Sequence, residues 1–247
     1  MSSRKSISRT PSAGHDRIEW FDTKRRVHRV RADDAASVAD VRPEVMARRP
    51  GKWFGQDASQ GHYWCAGTQT SVWHESRMEL VSMMLFDHLF DIIAVVAQPM
   101  LLTFAAGRHH TPDYLIDTAQ GERIVLDVHS DDMTADEDVE LFELTRVLCE
   151  RVGWRFELID RISRVTHWNL EMMARYAHSR YAPDDVTRAR ILRVARMSPT
   201  FGELRRALAT PRPGEHLPAV FHLMWNRAIR FDVERPFTDR TRLHAAV

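Results

Sequence analysis

Residues 114–129 constrain the fold more than any other stretch of this chain. Residues 123–129 read as the clearest strand in the sequence, and residues 114–117 as its partner. Between them, Ala119-Gln120-Gly121-Glu122 has the composition of a hairpin turn. Side chains alternate between the two faces of a strand. Ile124, Leu126 and Val128 therefore share one face, and Val125, Asp127 and His129 the other. The turn sends the second strand back along the first, which brings Asp127 towards Asp113. Pro112 fixes the backbone where it enters the first strand.

The flanks extend this hairpin into a larger unit. Met78, Val81, Leu85 and Leu89 recur at helical spacing across residues 75–90, and Ser76 three residues before Glu79 has the form of a capping box. Residues 92–96 and 101–104 read as strands on either side of Gln98-Pro99, and residues 107–110 as a turn. An acidic run, Asp131, Asp132, Asp136, Glu137, Asp138 and Glu140, leads into a helix carrying Val139, Phe142, Leu144, Val147 and Leu148. Acids at a helix start favour its positive dipole end, so this run reads as a solvated helix start or, alternatively, as a metal site. Residues 154–159 form a further strand. Helix, three or four strands, helix and strand predict an α/β fold with a mixed sheet flanked by helices.

The chain's ends differ from this centre. A length of 247 residues accommodates one large domain or two small ones. Residues 1–60 have little periodicity, with Arg4, Lys5, Arg9, Lys24, Arg25, Arg26, Arg29 and Arg31, and predict a basic arm, partly extended or disordered, anchored by Trp20, Phe21, Trp53 and Phe54. Residues 61–180 form the central domain. Residues 181–247 predict a small helical C-terminal domain. Its helices begin at Pro183-Asp184-Asp185, at the Thr200/Glu203 capping box and at Leu217 (to residue 228), and are followed by a short strand through Ile229, Phe231 and Val233. Three helices and a small hairpin resemble a winged helix-turn-helix. A second basic group there includes Arg188, Arg190, Arg193, Arg196, Arg205 and Arg206. The formal charge of +1 gives no overall pull towards nucleic acid, but basic ends around an acidic centre are compatible with phosphate contacts or with solvated basic faces.

Composition excludes some classes. Hydrophobic content of 44% and charged content of 28% are ordinary for a globular protein. Cys65 and Cys149 match no metal spacing and predict two free thiols in a reduced, cytoplasmic setting. The start lacks the apolar run of a signal peptide. The most apolar window, residues 92–106, is interrupted by Gln98-Pro99 and is short of the roughly 20 residues that a membrane span needs.

The chemistry lies in the acids. Glu79, Asp113 and Asp127 on one site can hold Mg²⁺, with Mn²⁺ as an alternative, because hard cations take oxygen ligands. A metal so held polarises a phosphodiester and activates water, which points to a nuclease. Two of these acids also have a structural reading. Glu79 caps a helix, and Asp127 pairs with Arg123 or Arg108. Glu75 is the rival to Glu79, and His109 and His110 lie close by as surface residues of a turn.

Thr111-Pro112-Asp113-Tyr114 followed by Asp127-Val128-His129 resembles the PD-(D/E)xK nuclease motif, and hence implies a restriction-endonuclease-like fold. The set Ser76-Arg77-Met78-Glu79, Phe86-Asp87, Gln98-Pro99 and Pro112-Asp113 resembles the actinobacterial branch of the TnsA family of transposase endonuclease subunits. The stretch from Leu126 to Asp132 and Val152-Gly153-Trp154 are in keeping with it, as are His222-Leu223-Met224-Trp225, Phe231-Asp232 and Arg235-Pro236. That resemblance implies double-stranded DNA at transposon ends as substrate, one strand cut, a DDE-type transposase as partner and an AAA+ ATPase regulator at the C-terminal region. It makes Glu79, Asp113 and Asp127 the metal-binding acids. His129 departs from the pattern, since that position is usually Lys, whose ammonium can stabilise developing charge. Imidazole, with an ordinary pKa near 6.5, can accept a proton or donate a hydrogen bond but offers less positive charge. The alternatives are therefore a degenerate nuclease fold that binds DNA or partners without cutting, and an unrelated DNA-binding regulator.

Overall fold

The structure, a computed structural model, describes residue 7 and residues 14–48, 60–129 and 136–245. Arg4, Lys5, Arg9, Trp53, Phe54, Asp131 and Asp132 lie outside the described residues. The fold is mixed α/β, with several antiparallel sheets and six α-helices among the described residues. The chain divides into two compact units: Met1–Ser82 with Asp91–Arg161, and Met83–Phe90 with Ile162–Val247.

The first unit contains β1 (Arg17–Phe21), β2 (Val27–Arg31), β3 (Gly61–Cys65), β4 (Thr70–His74) and the start of α1 (Arg77–Leu89). It continues through β5 (Ile92–Ala97), β6 (Met100–Thr103), β7 (His109–His110), β8 (Tyr114–Thr118), β9 (Arg123–Val128), α2 (Asp136–Arg151) and β10 (Arg155–Ile159). One sheet has the order β2-β1-β6-β7, another β10-β9-β8-β5, and β3 pairs with β4. In the second sheet β5, β8 and β9 run antiparallel while β10 lies parallel to β9, so the sheet is mixed.

The alternation expected of β9 holds. Val125 enters the same core as Leu115, its cross-strand partner on β8, together with Ile18, Met100 and Leu102 from the first sheet and Leu148 and Cys149 from α2. On the same face, Arg123 forms a two-pronged ion pair with Asp117 at 2.7 and 2.8 Å. Ile116, Ile124 and Leu126, on the opposite face, are fully buried. Turn 119–122 closes with Gly121 at φ +84°, a left-handed conformation that favours glycine.

Residues 17–31 do not form the expected arm. They make a hairpin whose first strand is inserted between β2 and β6, with Ile18 and Phe21 fully buried. The basic residues there have local partners: Arg17 and Arg29 both bond the buried Glu19 carboxylate, and Arg26 bonds Asp22. Trp20 and Phe21 do anchor the segment, as core residues.

The second unit contains α3 (Arg164–Ala174), α4 (Asp185–Met197), α5 (Phe201–Ala207), α6 (Leu217–Trp225), β11 (Ile229–Arg230) and β12 (His244–Ala245). Its division from the first unit falls at Arg161 rather than at residue 180, because α3 packs with α6 and Asn169 Nδ2 of α3 also donates to the carbonyls of Val233 and Arg235, beyond β11, both at 2.8 Å. Caps set the helix starts. Asp184 Oδ1 accepts from Thr187 N–H at 2.7 Å, and the Thr200/Glu203 capping box is closed in both directions. α6 ends three residues before the expected position, and the strand after it stops at Arg230, where β12 pairs with it. No helix is long and apolar enough to cross a membrane among the described residues.

Candidate functional site

Register brings Asp113 and Asp127 together. Tyr114 pairs with Leu126, so Asp113, one residue before β8, stands opposite Asp127. Each carboxylate bonds the other strand's backbone. Asp113 N–H donates to Asp127 Oδ1 at 3.2 Å, and Val128 N–H donates to Asp113 Oδ2 at 2.8 Å. Asp127 is 2% exposed, and its other oxygen lies 2.7 Å from His110 Nε2. The arginine partners expected for Asp127 are engaged elsewhere: Arg123 with Asp117, and Arg108 with Glu140.

Glu79 sits in the first turn of α1. Its N–H donates to Ser76 Oγ at 3.1 Å, and its carboxylate accepts from Glu75 N–H at 2.7 Å. The side chain thus performs part of the capping role foreseen for it, one residue further back than a capping box requires. Among the described residues, no hydrogen bond joins Glu79 to Asp113 or Asp127, and no group of three or more His, Cys, Asp or Glu is gathered to hold a metal ion. The rival Glu75 does not face solvent freely, because Arg48 Nη2 holds its carboxylate at 2.5 Å.

Asp113 nevertheless senses the other two acids. Burial, and then the negative charges of Asp127 and Glu79, push Asp113 well above the ordinary carboxylate range. Burial also raises Glu79, with the Glu75 charge adding to it and Arg48 opposing it. Tyr114 is raised by burial and by the charges of Glu79, Asp113 and Glu75. Burial, helped by the charge of Asp127, also raises the Cys149 thiol, which leaves it unreactive.

His129 follows the end of β9, where its N–H continues the parallel ladder to Ile159 C=O at 2.9 Å. Its ring meets Phe142 of α2 edge-on at 5.2 Å, and His110 meets the same phenyl group at 6.0 Å. Its buried Nε2 has no hydrogen-bond partner among the described residues. Phe142 thus carries one imidazole bonded to an acid and another whose nitrogen is unused.

Two further residues escape sequence reasoning. Arg48, far away in sequence, is a cation whose charge acts on both Glu79 and Asp113. Gln98 links β5 to β6 with φ +45°, a conformation that costs of order 1–3 kcal/mol in a residue other than glycine. Its N–H donates to Asp113 C=O at 2.7 Å, and its own C=O accepts from Ala47 N–H at 2.7 Å. The sequence marks Gln98 as half of the Gln98-Pro99 pair and assigns its side chain no role.

Against known proteins, the chain matches no family model and no curated protein sequence.

Proposed function

We propose that this chain is a metal-dependent DNA endonuclease subunit of a multi-component transposase, hydrolysing one phosphodiester strand at transposon ends. The observation that carries this reading is the pair Asp113 and Asp127, locked face to face at the end of a mixed sheet with Glu79 in electrostatic reach. The order α1, antiparallel β5-β8-β9, α2 and parallel β10 agrees with a restriction-endonuclease-like core. The helices α4, α5 and α6 with the β11–β12 pair agree with a winged-helix-like C-terminal domain.

The acids suit Mg²⁺ or Mn²⁺. Mg²⁺ is usually held by one or two carboxylates, with waters and substrate phosphates completing its shell, so a closed cage of three protein ligands is not required. Two adjacent buried carboxylates that resist joint ionisation favour a cation between them. Asp113 and Asp127 would hold it, with Glu79 contributing through its charge. Bound there, the metal would supply polarisation of the phosphate and activation of water. The backbone amides of Asp113 and Val128 keep both carboxylates in place. Arg48, which is ion-paired with Glu75, and His129, whose buried Nε2 has no partner among the described residues, are the candidates to face phosphate charge.

Charge distribution favours DNA on the second unit. That unit has fifteen Arg and Lys against nine Asp and Glu, whereas the first has twenty against twenty-five. A cavity of about 500 Å³ in the second unit is lined by Arg235, Arg240, Arg242 and His244, with Asp232 its one acid. Phosphate contacts of this kind supply sequence-independent affinity. The DDE-type transposase and the AAA+ ATPase regulator remain the partners of this reading.

Asp113→Ala tests it. Nicking of transposon-end duplex by the purified chain, supplied with its partner subunits and Mg²⁺, should disappear while the far-ultraviolet circular dichroism spectrum stays unchanged. Equal nicking by wild type and variant would remove Asp113 from the mechanism. A second reading, a binding module on a degenerate nuclease fold, is favoured by His129 at the usual lysine position. DNA binding in wild type without nicking under any divalent cation would establish it.

A further inference from the structure

Gln98 combines three features that a purely structural glutamine does not need. The residue is 2% exposed, yet neither Oε1 nor Nε2 has a hydrogen-bond partner among the described residues. Buried polar atoms are nearly always paired, so two on one side chain call for a reason. The backbone stands at φ +45° immediately before Pro99, a conformation that the surrounding contacts must impose. Those contacts lead to the acids. Ala97 pairs with Tyr114, so continuing that register places Gln98 opposite Asp113, and the Gln98 N–H to Asp113 C=O bond of 2.7 Å marks the pairing. Asp113 in turn stands opposite Asp127. Gln98, Asp113 and Asp127 therefore occupy one row across three neighbouring strands.

We propose that Gln98 is a substrate-positioning residue of the carboxylate site, its carboxamide donating from Nε2 to a phosphodiester oxygen and accepting at Oε1 from a water beside Asp113. This rests on the nuclease reading above and deepens it. A carboxamide suits the position because it brings both donor and acceptor without adding a third negative charge to the row. An unsatisfied side chain on a strained backbone is a stability cost that substrate binding offsets.

That logic gives the test opposite signs in two measurements. Gln98→Met removes both polar atoms at similar volume, and Gln98→Glu keeps an oxygen but loses the donor. Each is compared with wild type and Asp113→Ala for Mg²⁺-dependent nicking, for binding of a fluorescent duplex in Ca²⁺ by anisotropy, and for melting temperature. Gln98→Met should nick about 100-fold more slowly and bind the duplex about tenfold more weakly, with a melting temperature equal to or above wild type. Gln98→Glu should lose nicking at least as severely. A fall in melting temperature in Gln98→Met would show the carboxamide satisfied within the fold, by buried water or protein, and would overturn the assignment. Unchanged nicking and binding would overturn it as well, leaving the nuclease reading intact if Asp113→Ala is inactive. If wild type does not nick at all with its partner subunits and Mg²⁺ supplied, the nuclease reading fails, and the Ca²⁺ arm alone decides. Weaker duplex binding by Gln98→Met then upholds a phosphate contact, while equal binding, or none by wild type, overturns it.

Discussion

Asp113→Asn should stabilise the protein while disabling it. Directly opposed strand residues have Cβ atoms about 4.5–5.5 Å apart, and Asp113 and Asp127 are so opposed. Burial is the larger cost of ionised Asp113, and a neutral amide relieves it too; beyond it, two unit charges about 5 Å apart repel by about 3 kcal/mol at an effective dielectric constant of 20. Arg48 offsets part of this, since its charge favours ionised Asp113. The asparagine oxygen can still accept the Val128 N–H that now bonds Oδ2 at 2.8 Å, so the strand contact survives. A net gain of about 2 kcal/mol is expected, or a melting-temperature rise of about 4–8 °C for a unit of this size. The assay is thermal unfolding at pH 7.5 in EDTA, repeated across a Mg²⁺ titration. In wild type, Mg²⁺ should close the gap by mass action, by about 2.7 kcal/mol at one hundred times its Kd. The variant should respond weakly. A variant that melts below wild type in EDTA, or that gains as much from Mg²⁺, would refute the idea that repulsion between these acids is what a cation relieves.

Other expectations concern separate parts of the molecule. His129→Lys should nick at least as well as wild type, and a loss beyond about tenfold in single-turnover assays would assign the imidazole a role of its own. His88 is 7% exposed, its Nδ1 is 2.9 Å from Trp225 C=O, and burial holds its pKa below the ordinary value. The unfolded chain therefore takes up a proton first as pH falls. His88 costs nothing above about pH 7, and below the unfolded value near 6.5 stability falls by up to about 1.4 kcal/mol per pH unit until the folded pKa is passed. Urea unfolding between pH 5 and 7 should show that slope flattened in His88→Gln, and an unchanged slope would assign it to other groups. Replacing Arg240 and Arg242 together by alanine should reduce the slope of log K against log salt for duplex binding by about 2, one per phosphate contact. An unaltered slope would place the DNA elsewhere.

The parts of this fold legible in sequence are those with a local physical signal. The β8–β9 hairpin announced itself through alternation and Gly121, and the α5 start through Thr200 and Glu203. The β1–β2 hairpin did not, because its arginines look like a solvated basic run until Glu19 and Asp22 are seen to bond them. Its pairing with β6 joins Arg17 to Thr103, a separation that no window of sequence spans. The site divides in the same way. Asp113 and Asp127 were recoverable from spacing, because one hairpin carries both. The sequence leaves two roles open for Glu79, and in the structure it caps α1 while acting on Asp113 through its charge. Arg48 and Gln98 carry no site signal in sequence because they reach the acids from other segments, and His110 carries none because the two-residue strand β7 that presents it has almost no sequence signature.

The crossed contacts between Asp113 and Asp127 have a consequence for anyone interpreting inactive variants. Here the ladder's last rung is built from carboxylates standing in for carbonyls, so the chemistry and the zipper between two strands are made of the same atoms. Deleting either acid frees an amide on the facing strand, and deleting both should unfasten that corner by an amount differing from the two single losses added together. Amide substitutions, which keep an oxygen for each rung, are the ones that separate reactivity from architecture.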